Sequence, residues 1–371
     1  MNTDVLIIGG GIQGCATAYN LARQGVSVTV LEKDWVSRHA SGVNAGGVRV
    51  LGRDVAEVEL SKASMELWHG LDDELDADTG FRARSLINIA ADENDLTTLR
   101  NREQQMHALG YSHEKMIDQQ ELRERLPHVA EHCVGGVVSE MDGYAIPYQS
   151  TLAFRAAAER HGARFIEGVA AQRIRKIGQH WLVESNQGRF EAAHLVNCSG
   201  AWADQIAVKI GDNVPLTHSA PMLMITTRMP HFATPVVGAV SRPLSFKQFE
   251  NGTVLIGGGA KGFADRDNNR TRLDYAKLAV GARNAVEFFP IMRTASVNRM
   301  WAGLEAYMPD NLPVIGPSVN ADNAWHAFGF SAHGFQMGPI VGQVMAELIL
   351  NGQSRFDLDK FRIDRFERKV L

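Results

Sequence analysis

Two short apolar runs near the start of the chain, joined through a glycine-rich turn, predict a strand–helix–strand unit. The runs are Val5-Leu6-Ile7-Ile8 and Val28-Thr29-Val30-Leu31. Continuous apolar runs of this length are typical of parallel strands that are buried on both faces. After Gly14 the pattern predicts a helix to about Arg23, which Gly25 would end. The chain therefore begins with a unit of βαβ size.

Further along the chain the pattern alternates between α/β and antiparallel character. Apolar residues at helical or strand spacing predict helices at 57–76, 92–109, 149–162 and 273–289, strands at 164–169, 172–191 and 216–265, and a last helix that opens near Pro339 and runs to Leu350. Asn251-Gly252 is a strong hairpin signal within the antiparallel stretch. The predicted fold class is α/β: a Rossmann-like nucleotide-binding domain with an inserted α+β substrate domain built on an antiparallel sheet.

The alternation also predicts where the two domains lie in the sequence. We predict a nucleotide-binding domain assembled from residues 1–80, 140–215 and 300–371, and a substrate domain formed by 81–139 and 216–299. This division explains the alternation of α/β and antiparallel segments better than two consecutive domains do. A chain of 371 residues is long enough for two domains of average size.

The glycine turn carries the first candidate chemistry. Gly9, Gly11 and Gly14 form a GxGxxG pattern directly after the first strand, and Glu32 closes the second strand 18 residues beyond Gly14. In this pattern the glycines allow a tight turn, a close approach to a pyrophosphate and close helix–strand packing, while the acid binds ribose hydroxyls. The N-terminus of the helix offers free N–H groups and a positive dipole end to the pyrophosphate. The unit predicts a bound dinucleotide.

Composition and charge exclude several other classes. The net charge of −4 gives no basic field for nucleic acid, and the three scattered cysteines lack a CxxC pair, which disfavours a disulfide framework, an iron–sulfur centre or a dithiol pair. We predict no metal site. The first residues lack the basic region of a signal peptide, and no apolar stretch approaches the ~20 residues of a membrane span. We therefore expect a cytoplasmic protein without a membrane span.

Four separated signatures resemble the FAD-dependent D-amino-acid oxidase superfamily, in particular glycine oxidase and the sarcosine oxidase β subunit. They are the Gly9–Gly14 turn with Glu32, the small-residue run Ser41–Arg49, the stretch Val196–Trp202, and the stretch from Trp301 through Gly334-Phe335-Gln336. The resemblance implies FAD as cofactor, with contacts from Gly9, Gly11, Ile12, Gln13, Gly14, Glu32, Lys33, Ala40, Ser41, Ala45, Gly46, Gly47, Val169, Ser199, Gly200, Trp202, Gly303, Phe330, Ser331, His333, Gly334, Phe335 and Gln336.

The same resemblance implies the chemistry. An amine would give its α-hydrogen as hydride to flavin N5 and leave as an imine that water hydrolyses, so we expect oxidation of the C–N bond of a small amine or N-substituted amino acid. Two alternatives stay open: a flavin subunit of a hetero-oligomeric sarcosine, opine or proline oxidase, and an FAD-dependent 2-hydroxy acid dehydrogenase. The electron acceptor would be oxygen or a partner subunit, and a homo- or hetero-oligomer is compatible with the resemblance.

On the substrate side the chain departs from the family. Glycine oxidase-like members carry an arginine after Trp-Ala-Gly-Leu to grip the substrate carboxylate, and here that position is Glu305. The grip would have to come from elsewhere, with Arg49, Arg242 and Lys247 as candidates. Glu305 could bind a cationic substrate group, or could pair with a nearby arginine such as Arg299.

Two further expectations concern the flavin itself. His333 could tune the ring or contact the substrate, and the last helix would aim its positive end along Gly334-Phe335-Gln336 at the N1–C2=O edge, which would stabilise the anionic reduced flavin. Relatives that attach FAD covalently use a cysteine in the last third of the chain or a histidine near Asn44. Because no cysteine follows Cys198 and His39 is out of register, we expect non-covalent FAD.

Overall fold

The computed structural model describes residues 2–369. The α-helices of this range are α1 (Ile12–Ala22), α2 (Ala40–Val43), α3 (Val55–Leu75), α4 (Glu93–Ala108), α5 (Gln119–Arg125), α6 (Pro147–Arg160), α7 (Ala203–Ile210), α8 (Tyr275–Phe288) and α9 (Gly334–Asn351). Short 3-10 turns lie at Gly200–Trp202, Pro290–Thr294, Asp359–Phe361 and Ile363–Lys369.

The strands of the same range form three sheets. They are β1 (Asn2–Ile8), β2 (Val28–Glu32), β3 (Gly47–Val48), β4 (Arg82–Ala83), β5 (Leu86–Ala90), β6 (Lys115–Asp118), β7 (Gly135–Ser139), β8 (Gly143–Tyr144), β9 (Arg164–Glu167), β10 (Ala171–Ile177), β11 (His180–Ser185), β12 (Gly188–Asn197), β13 (Thr217–Thr226), β14 (Val236–Ala239), β15 (Ser245–Gln248), β16 (Val254–Gly257), β17 (Lys261–Asp265), β18 (Arg270–Arg272), β19 (Val297–Ala302), β20 (Glu305–Tyr307), β21 (Val314–Pro317) and β22 (Ala324–Phe328).

The first sheet has parallel strands at its centre and the antiparallel strands β10 and β11, from the predicted stretch 172–191, at one edge. Its order is β10-β11-β12-β1-β2-β9, with β22 beside β12 and β21 beside β22. β1 pairs in parallel with β2 and with β12, so Ile8 is level with Leu31 on one side and with Asn197 on the other. The carboxyl ends of these three strands meet at one edge, where ligands bind in open α/β sheets.

Helix α1 packs against α6 and α9 on one face of this sheet. The contact with α9 is close, because a Cβ atom at Gly342 would lie 2.6 Å from the Ala16 carbonyl carbon and one at Gly338 would lie 2.7 Å from Ile12. α9 begins at Gly334, five residues earlier than the start near Pro339 that the sequence predicts. The missing N–H of Pro339 removes one internal hydrogen bond, and the almost complete burial of α9 outweighs that loss.

The second sheet is antiparallel apart from the pairing of β14 with β5. Its order is β18-β17-β13-β16-β15-β14-β5-β7-β6, and β19 and β20 also pair with β13. Behind it lies a separate apolar core in which the Phe246 and Phe289 rings stack with their centroids 4.7 Å apart. The parallel sheet and this antiparallel sheet confirm the predicted fold class.

The strand composition of the two large sheets bears on the predicted division into domains. The first sheet draws its strands from residues 2–32, 164–197 and 314–328, and the second draws its strands from 86–139 and 217–307. β19 and β20 thus carry the second sheet across the boundary that the sequence places at residue 300. A second crossing lies in the three-stranded sheet, where β4, from segment 81–139, pairs with β8, from segment 140–215. We propose the same two domains, with these two crossings as departures from the predicted boundaries.

Candidate active site

The glycine turn stands at the carboxyl end of β1, where the backbone of β12 leaves no room for a side chain. A Cβ atom at Gly9, whose φ is +112°, would lie 2.3 Å from the Cys198 carbonyl oxygen. A Cβ atom at Gly14 would lie 2.0 Å from the Gly9 carbonyl oxygen. Both positions therefore require glycine for packing alone. Gly14 lies behind the turn, while Gly9 and Gly11 line the adjoining cavity.

Glu32 ends β2 beside this turn, and backbone amides fix its carboxylate. One oxygen accepts the Gly10 N–H at 2.7 Å and the other accepts the Asp34 N–H at 2.9 Å. Burial raises the pKa of Glu32 although both amides favour the charged form. The carboxylate lines the cavity, and each oxygen keeps a lone pair for a hydroxyl donor.

Val169 and Gln13 line the cavity with part of their polar groups already engaged. The Val169 N–H donates to the Glu32 carbonyl oxygen at 2.8 Å, so only its carbonyl is left for an adenine ring. Gln13 Nε2 donates to the Gly334 carbonyl oxygen at 2.7 Å, which joins the first turns of α1 and α9. Gln13 Oε1 is buried without a hydrogen-bond partner among residues 2–369.

Lys33 belongs to a group of contacts beside the cavity, which we call the latch. Its ammonium binds Asn269 Oδ1 at 2.6 Å and lies 3.9 Å from the centre of the Trp202 ring. Arg266, in the same β17–β18 hairpin as Asn269, pairs with Asp204 at 2.7 Å. The latch thus consists of Lys33, Trp202, Asp204, Arg266 and Asn269, and it connects the hairpin of the second sheet to the edge of the first.

A cavity of about 690 Å³ runs from the glycine turn between the two sheets. Of the five candidates for contact with the substrate or the flavin ring, namely Arg49, Arg242, Lys247, Glu305 and His333, two line it: Arg49 and Glu305. The predicted cofactor residues that also line it are Gly9, Gly11, Ile12, Gln13, Glu32, Lys33, Ala40, Ser41, Ala45, Gly46, Gly47, Val169, Ser199, Gly200, Trp202, Gly303, Phe330, Gly334 and Phe335. Six predicted residues lie outside its lining: Gly14, Arg242, Lys247, Ser331, His333 and Gln336.

His333 and Gln336 support the cavity wall from behind. His333 Nδ1 lies 3.0 Å from Glu57 Oε2, and burial followed by the charge of Arg53 lowers the pKa of His333. The Gln336 carbonyl oxygen accepts hydrogen bonds from Ser64 Oγ at 2.6 Å and from Trp68 Nε1 at 2.7 Å. Both residues fix the start of α9, and neither presents its side chain to the cavity.

Ser331 holds the backbone just before α9 in an uncommon conformation. Ser331 and Ala332 both have positive φ, +50° and +72°, which costs non-glycine residues free energy. The Ser331 N–H donates to the Ala306 carbonyl at 3.2 Å, and its Oγ accepts the Met308 N–H at 3.1 Å. These bonds to the β20 segment fix the loop that runs beside the cavity.

Lys247 is buried rather than solvated. Its ammonium donates to the carbonyl oxygen of Ala45, a residue of the cavity wall, and lies 5.1 Å from the centre of the Tyr144 ring. With 3% of its surface exposed, desolvation lowers its pKa to about 7. Arg242 lies on the protein surface, where it pairs with Glu287 at 3.4 Å, and it is outside the cavity lining.

Glu305 does not pair with Arg299, which was one of the two expectations. Its carboxylate accepts hydrogen bonds from the Ala332 N–H and from the Tyr307 hydroxyl, the latter at 3.4 Å. Arg299 lies on β19 opposite Ile225. No ion pair to Glu305 is found within residues 2–369.

The structure adds polar groups to the cavity that the sequence reasoning missed, notably Arg53, Asn88 and Tyr307. Arg53 is 2% exposed, its Nη2 donates to Gln336 Oε1 at 3.2 Å, and its Nη1 has no partner within residues 2–369. Burial, and then the charge of Arg49, lower the pKa of Arg53 to about 9. Tyr307 could have been found from strand alternation, since it lies two residues after Glu305 and therefore on the same face.

The fold and the cavity are those of a dinucleotide-binding protein, and residues of both large sheets line the cavity. A model of the FAD-dependent oxidoreductase family, DAO, matches residues 4–348. The chain therefore belongs to this family, its cofactor is FAD, and it is an oxidoreductase. This confirms the family, the cofactor and the enzyme class that the sequence signatures predict.

Three relatives illustrate the similarity. A subunit of the opine oxidase from Rhizobium meliloti is 25% identical over 98% of both chains. Human mitochondrial dimethylglycine dehydrogenase is 26% identical over 98% of this chain but 44% of that protein, so the chain spans less than half of that relative. The crystal structure of L-proline dehydrogenase from P. horikoshii is 26% identical with a TM-score of 0.92, covering 99% of this chain and 98% of that one.

Among residues 2–369 the structure contains no helix with both the length and the apolar character of a membrane span.

The residues present fit an FAD. The glycine turn offers a cradle that side chains would fill, with a Cβ atom at Gly11 only 2.9 Å from Ser41 Oγ. Glu32 presents a fixed carboxylate, and Gln13, whose Oε1 is without a hydrogen-bond partner among residues 2–369, lines the same cavity. When bound, FAD supplies the electron acceptor for a hydride.

Proposed function

We propose that this protein oxidises the C–N bond of a small amine or N-substituted amino acid with FAD, and that the resulting imine is hydrolysed by water. The observation that carries the proposal is the lining of one cavity by the glycine turn, by the cationic groups of Arg49 and Arg53 and by the carboxylate of Glu305. A substrate with both an amine and a carboxylate matches charges of both signs. The names of the relatives, an opine oxidase subunit, a dimethylglycine dehydrogenase and a proline dehydrogenase, support the same class.

In this proposal the residues at the carboxyl ends of β1, β2 and β12 hold the cofactor. Glu32 would bind the ribose hydroxyls, and Gly11 with the first turn of α1 would face the pyrophosphate. Ala45, Gly46 and Gly47 would line the flavin side. The first turn of α9, which opens at Gly334 on the cavity wall, would direct its positive dipole end toward the ring. We propose that the FAD is non-covalent, because Cys15, Cys133 and Cys198 are all buried thiols and His39 is held by Asp34 at 2.8 Å.

Arg53 is the group best placed to bind a substrate carboxylate. Its guanidinium is fixed by Arg49 and Gln336, through Nε to the Arg49 carbonyl at 3.2 Å and through Nη2 to the Gln336 side chain. Its Nη1 remains without a partner in the described range. A buried guanidinium N–H without an acceptor is costly, and a carboxylate oxygen would satisfy it with a charge-assisted hydrogen bond.

Anaerobic reduction of the bound flavin tests the proposal. The purified FAD-loaded protein is mixed with sarcosine, N-methyl amino acids, D- and L-proline, glycine, D-amino acids, opines or 2-hydroxyglutarate, and bleaching of the flavin spectrum is followed. Rapid bleaching by an amine supports amine oxidation, and readmitted air then distinguishes oxygen from other acceptors. Bleaching by 2-hydroxyglutarate alone would contradict it.

A second candidate function keeps the fold and the cofactor but makes the chain one component of a larger enzyme. The observation that favours it is the match to the opine oxidase subunit over 98% of both chains. In that case the isolated chain would bind FAD yet show no bleaching with any of these compounds, and co-expression with its neighbouring subunits would restore it. We also propose that the protein is located in the cytoplasm. The finding that no helix in residues 2–369 could span a membrane is compatible with this location.

A further inference from the structure

Glu305 is one of two acidic side chains that line the cavity, and the other, Glu32, lies beside the glycine turn. Glu305 is the first residue of β20 and lines the cavity together with Tyr307. Its carboxylate accepts the Ala332 N–H and the Tyr307 hydroxyl, and no cation pairs with it in the described range. A carboxylate that is held by neutral donors keeps its charge available for a ligand.

The surroundings of Glu305 set the range in which it takes up a proton. Burial raises the pKa of Glu305 to about 7, against the lowering effects of the Ala332 N–H, the Tyr307 hydroxyl and the more distant charge of Lys261. The ammonium of Lys261, on β17, lies 3.8 Å from the centre of the Tyr307 ring. Across the strand pair, β13 places the neutral Ser219 opposite Glu305.

The other packed elements bring no further charge to this carboxylate. The 3-10 turn Gly200–Trp202 packs against β20 and contains no titratable side chain. In the loop before α9, His333 is turned to Glu57 at 3.0 Å. The groups that control the protonation of Glu305 are therefore Tyr307, Lys261 and the backbone amide of Ala332.

We propose that Glu305 accepts the proton of a protonated substrate amine inside the cavity. The inference rests on the proposed amine oxidation and deepens it. An alkylammonium group has a pKa of about 10, so the amine arrives as R₂NH₂⁺, whose nitrogen has no lone pair to form the C=N bond. Transfer of one proton converts R₂NH₂⁺ and the Glu305 carboxylate into R₂NH and the neutral carboxylic acid. The amine then has the lone pair that hydride loss requires.

The closing experiment compares Glu305→Gln with the wild type over a range of pH. The quantity is the second-order rate constant for anaerobic flavin reduction by the amine that bleaches the wild type fastest. For the wild type it should be level between pH of about 7 and about 10. Without the carboxylate only amine that is already neutral in solution can react, so the variant should gain tenfold per pH unit up to about pH 10. At pH 8 the variant should react about a hundredfold more slowly than it does at high pH, because only about one molecule in a hundred of an amine with a pKa of about 10 is then neutral.

Two further variants separate a proton acceptor from a structural residue. Tyr307→Phe removes a hydrogen bond that lowers the pKa of Glu305, and it should move the acid limb of the wild-type profile to higher pH. Glu66→Gln makes the same chemical change on the exposed surface of α3 and should leave the profile unaltered. FAD content and absorption spectrum are recorded for each variant, so that loss of cofactor is seen directly.

Each outcome decides something specific. A profile of Glu305→Gln that is parallel to the wild type, whether lowered or not, would overturn the role of Glu305 as proton acceptor while amine oxidation stands. If no amine reduces the wild-type flavin, the proposed function fails and this inference fails with it. Should Glu305→Gln lose FAD, Glu305→Asp keeps a carboxylate, and a level profile for that variant supports the inference, while a tenfold rise per pH unit overturns it.

Discussion

Replacing Glu32 by glutamine should lower the free energy of unfolding of the FAD-bound protein. Two backbone N–H groups donate to the Glu32 carboxylate, and the glutamine side chain has only one oxygen to accept them. The Gly10 and Asp34 N–H groups each donate to a different carboxylate oxygen, at 2.7 and 2.9 Å. In Glu32→Gln the side-chain oxygen can accept one of them, and the NH₂ group then faces the other donor. The glycine turn consequently loses one charge-assisted hydrogen bond.

The size of this loss follows from the bond that disappears. A hydrogen bond to a charged group contributes about 1.5–3 kcal/mol, and we take about 2 kcal/mol for Glu32→Gln. If all of it falls on cofactor binding, the Kd for FAD rises about 30-fold, since 1.4 kcal/mol is a factor of ten. Part of the loss can fall on the apoprotein instead, because the same bonds are present without FAD. The sum of the two losses is therefore the predicted quantity.

Two titrations measure that sum. Quenching of FAD fluorescence by the apoprotein gives the Kd, and urea unfolding of the apoprotein gives its free energy of unfolding. Glu66→Gln serves as the matched control, since it makes the same change on an exposed helix face. A combined loss for Glu32→Gln below about 0.5 kcal/mol, within the range of an ordinary surface substitution, would refute the role of the two amides.

Three other substitutions test the packing, the charges and the substrate site. In Gly14→Val the new Cβ atom would lie 2.0 Å from the Gly9 carbonyl oxygen. Thermal unfolding should therefore show a loss of about 3 kcal/mol in the free energy of unfolding, the upper end for overpacking, and the protein should lose FAD. Unchanged FAD content would contradict this. Arg102→Met leaves the buried Glu114 without its ion-pair partner at 3.1 Å and should cost about 3 kcal/mol in urea unfolding at pH 7. Burial would raise the pKa of Glu114, but contacts with His113 and Arg102 lower it to about 2 from 4.5. The contribution of the ion pair to stability is therefore complete above pH 4.5 and is lost as the pH falls toward 2. Near pH 2 the wild type and Arg102→Met should have the same free energy of unfolding. Arg53→Met should weaken binding of carboxylate-containing substrates at least about 30-fold, or about 2 kcal/mol, while binding of amines without a carboxylate stays within a few fold; equal losses for both would exclude Arg53 as the carboxylate site.

The parts of the site that could be predicted from sequence are the ones fixed by local geometry. Gly9, Gly11 and Glu32 lie on the cavity because a strand, a turn and a helix of fixed length bring them there. The start of α9 could not be predicted in the same way. Its first residues are helical because most of the helix is buried, in large part against α1. Pro339, a residue that locally disfavours a helix interior, therefore predicts the wrong start.

The substrate side of the cavity depends on contacts between residues far apart in the chain, and the sequence therefore predicts less of it. Arg53 and Gln336 meet across 283 positions, and nothing in either local pattern marks them as a pair. Lys247 was a candidate on its strand, but its burial against Ala45 depends on how the second sheet sits on the first. The sequence marks Glu305 because the resemblance implies an arginine at this position, and strand alternation could have indicated Tyr307, whereas the contact with Ala332 is visible only in three dimensions.

The latch ties the two sheets together beside the cavity. Lys33 follows β2 of the first sheet and Asp204 lies on α7, while Asn269 and Arg266 belong to a hairpin of the second sheet. A movement of the hairpin away from Lys33 and Asp204 would therefore break a hydrogen bond and an ion pair together. These two contacts couple the position of the second sheet to Lys33 and Trp202, which line the cavity.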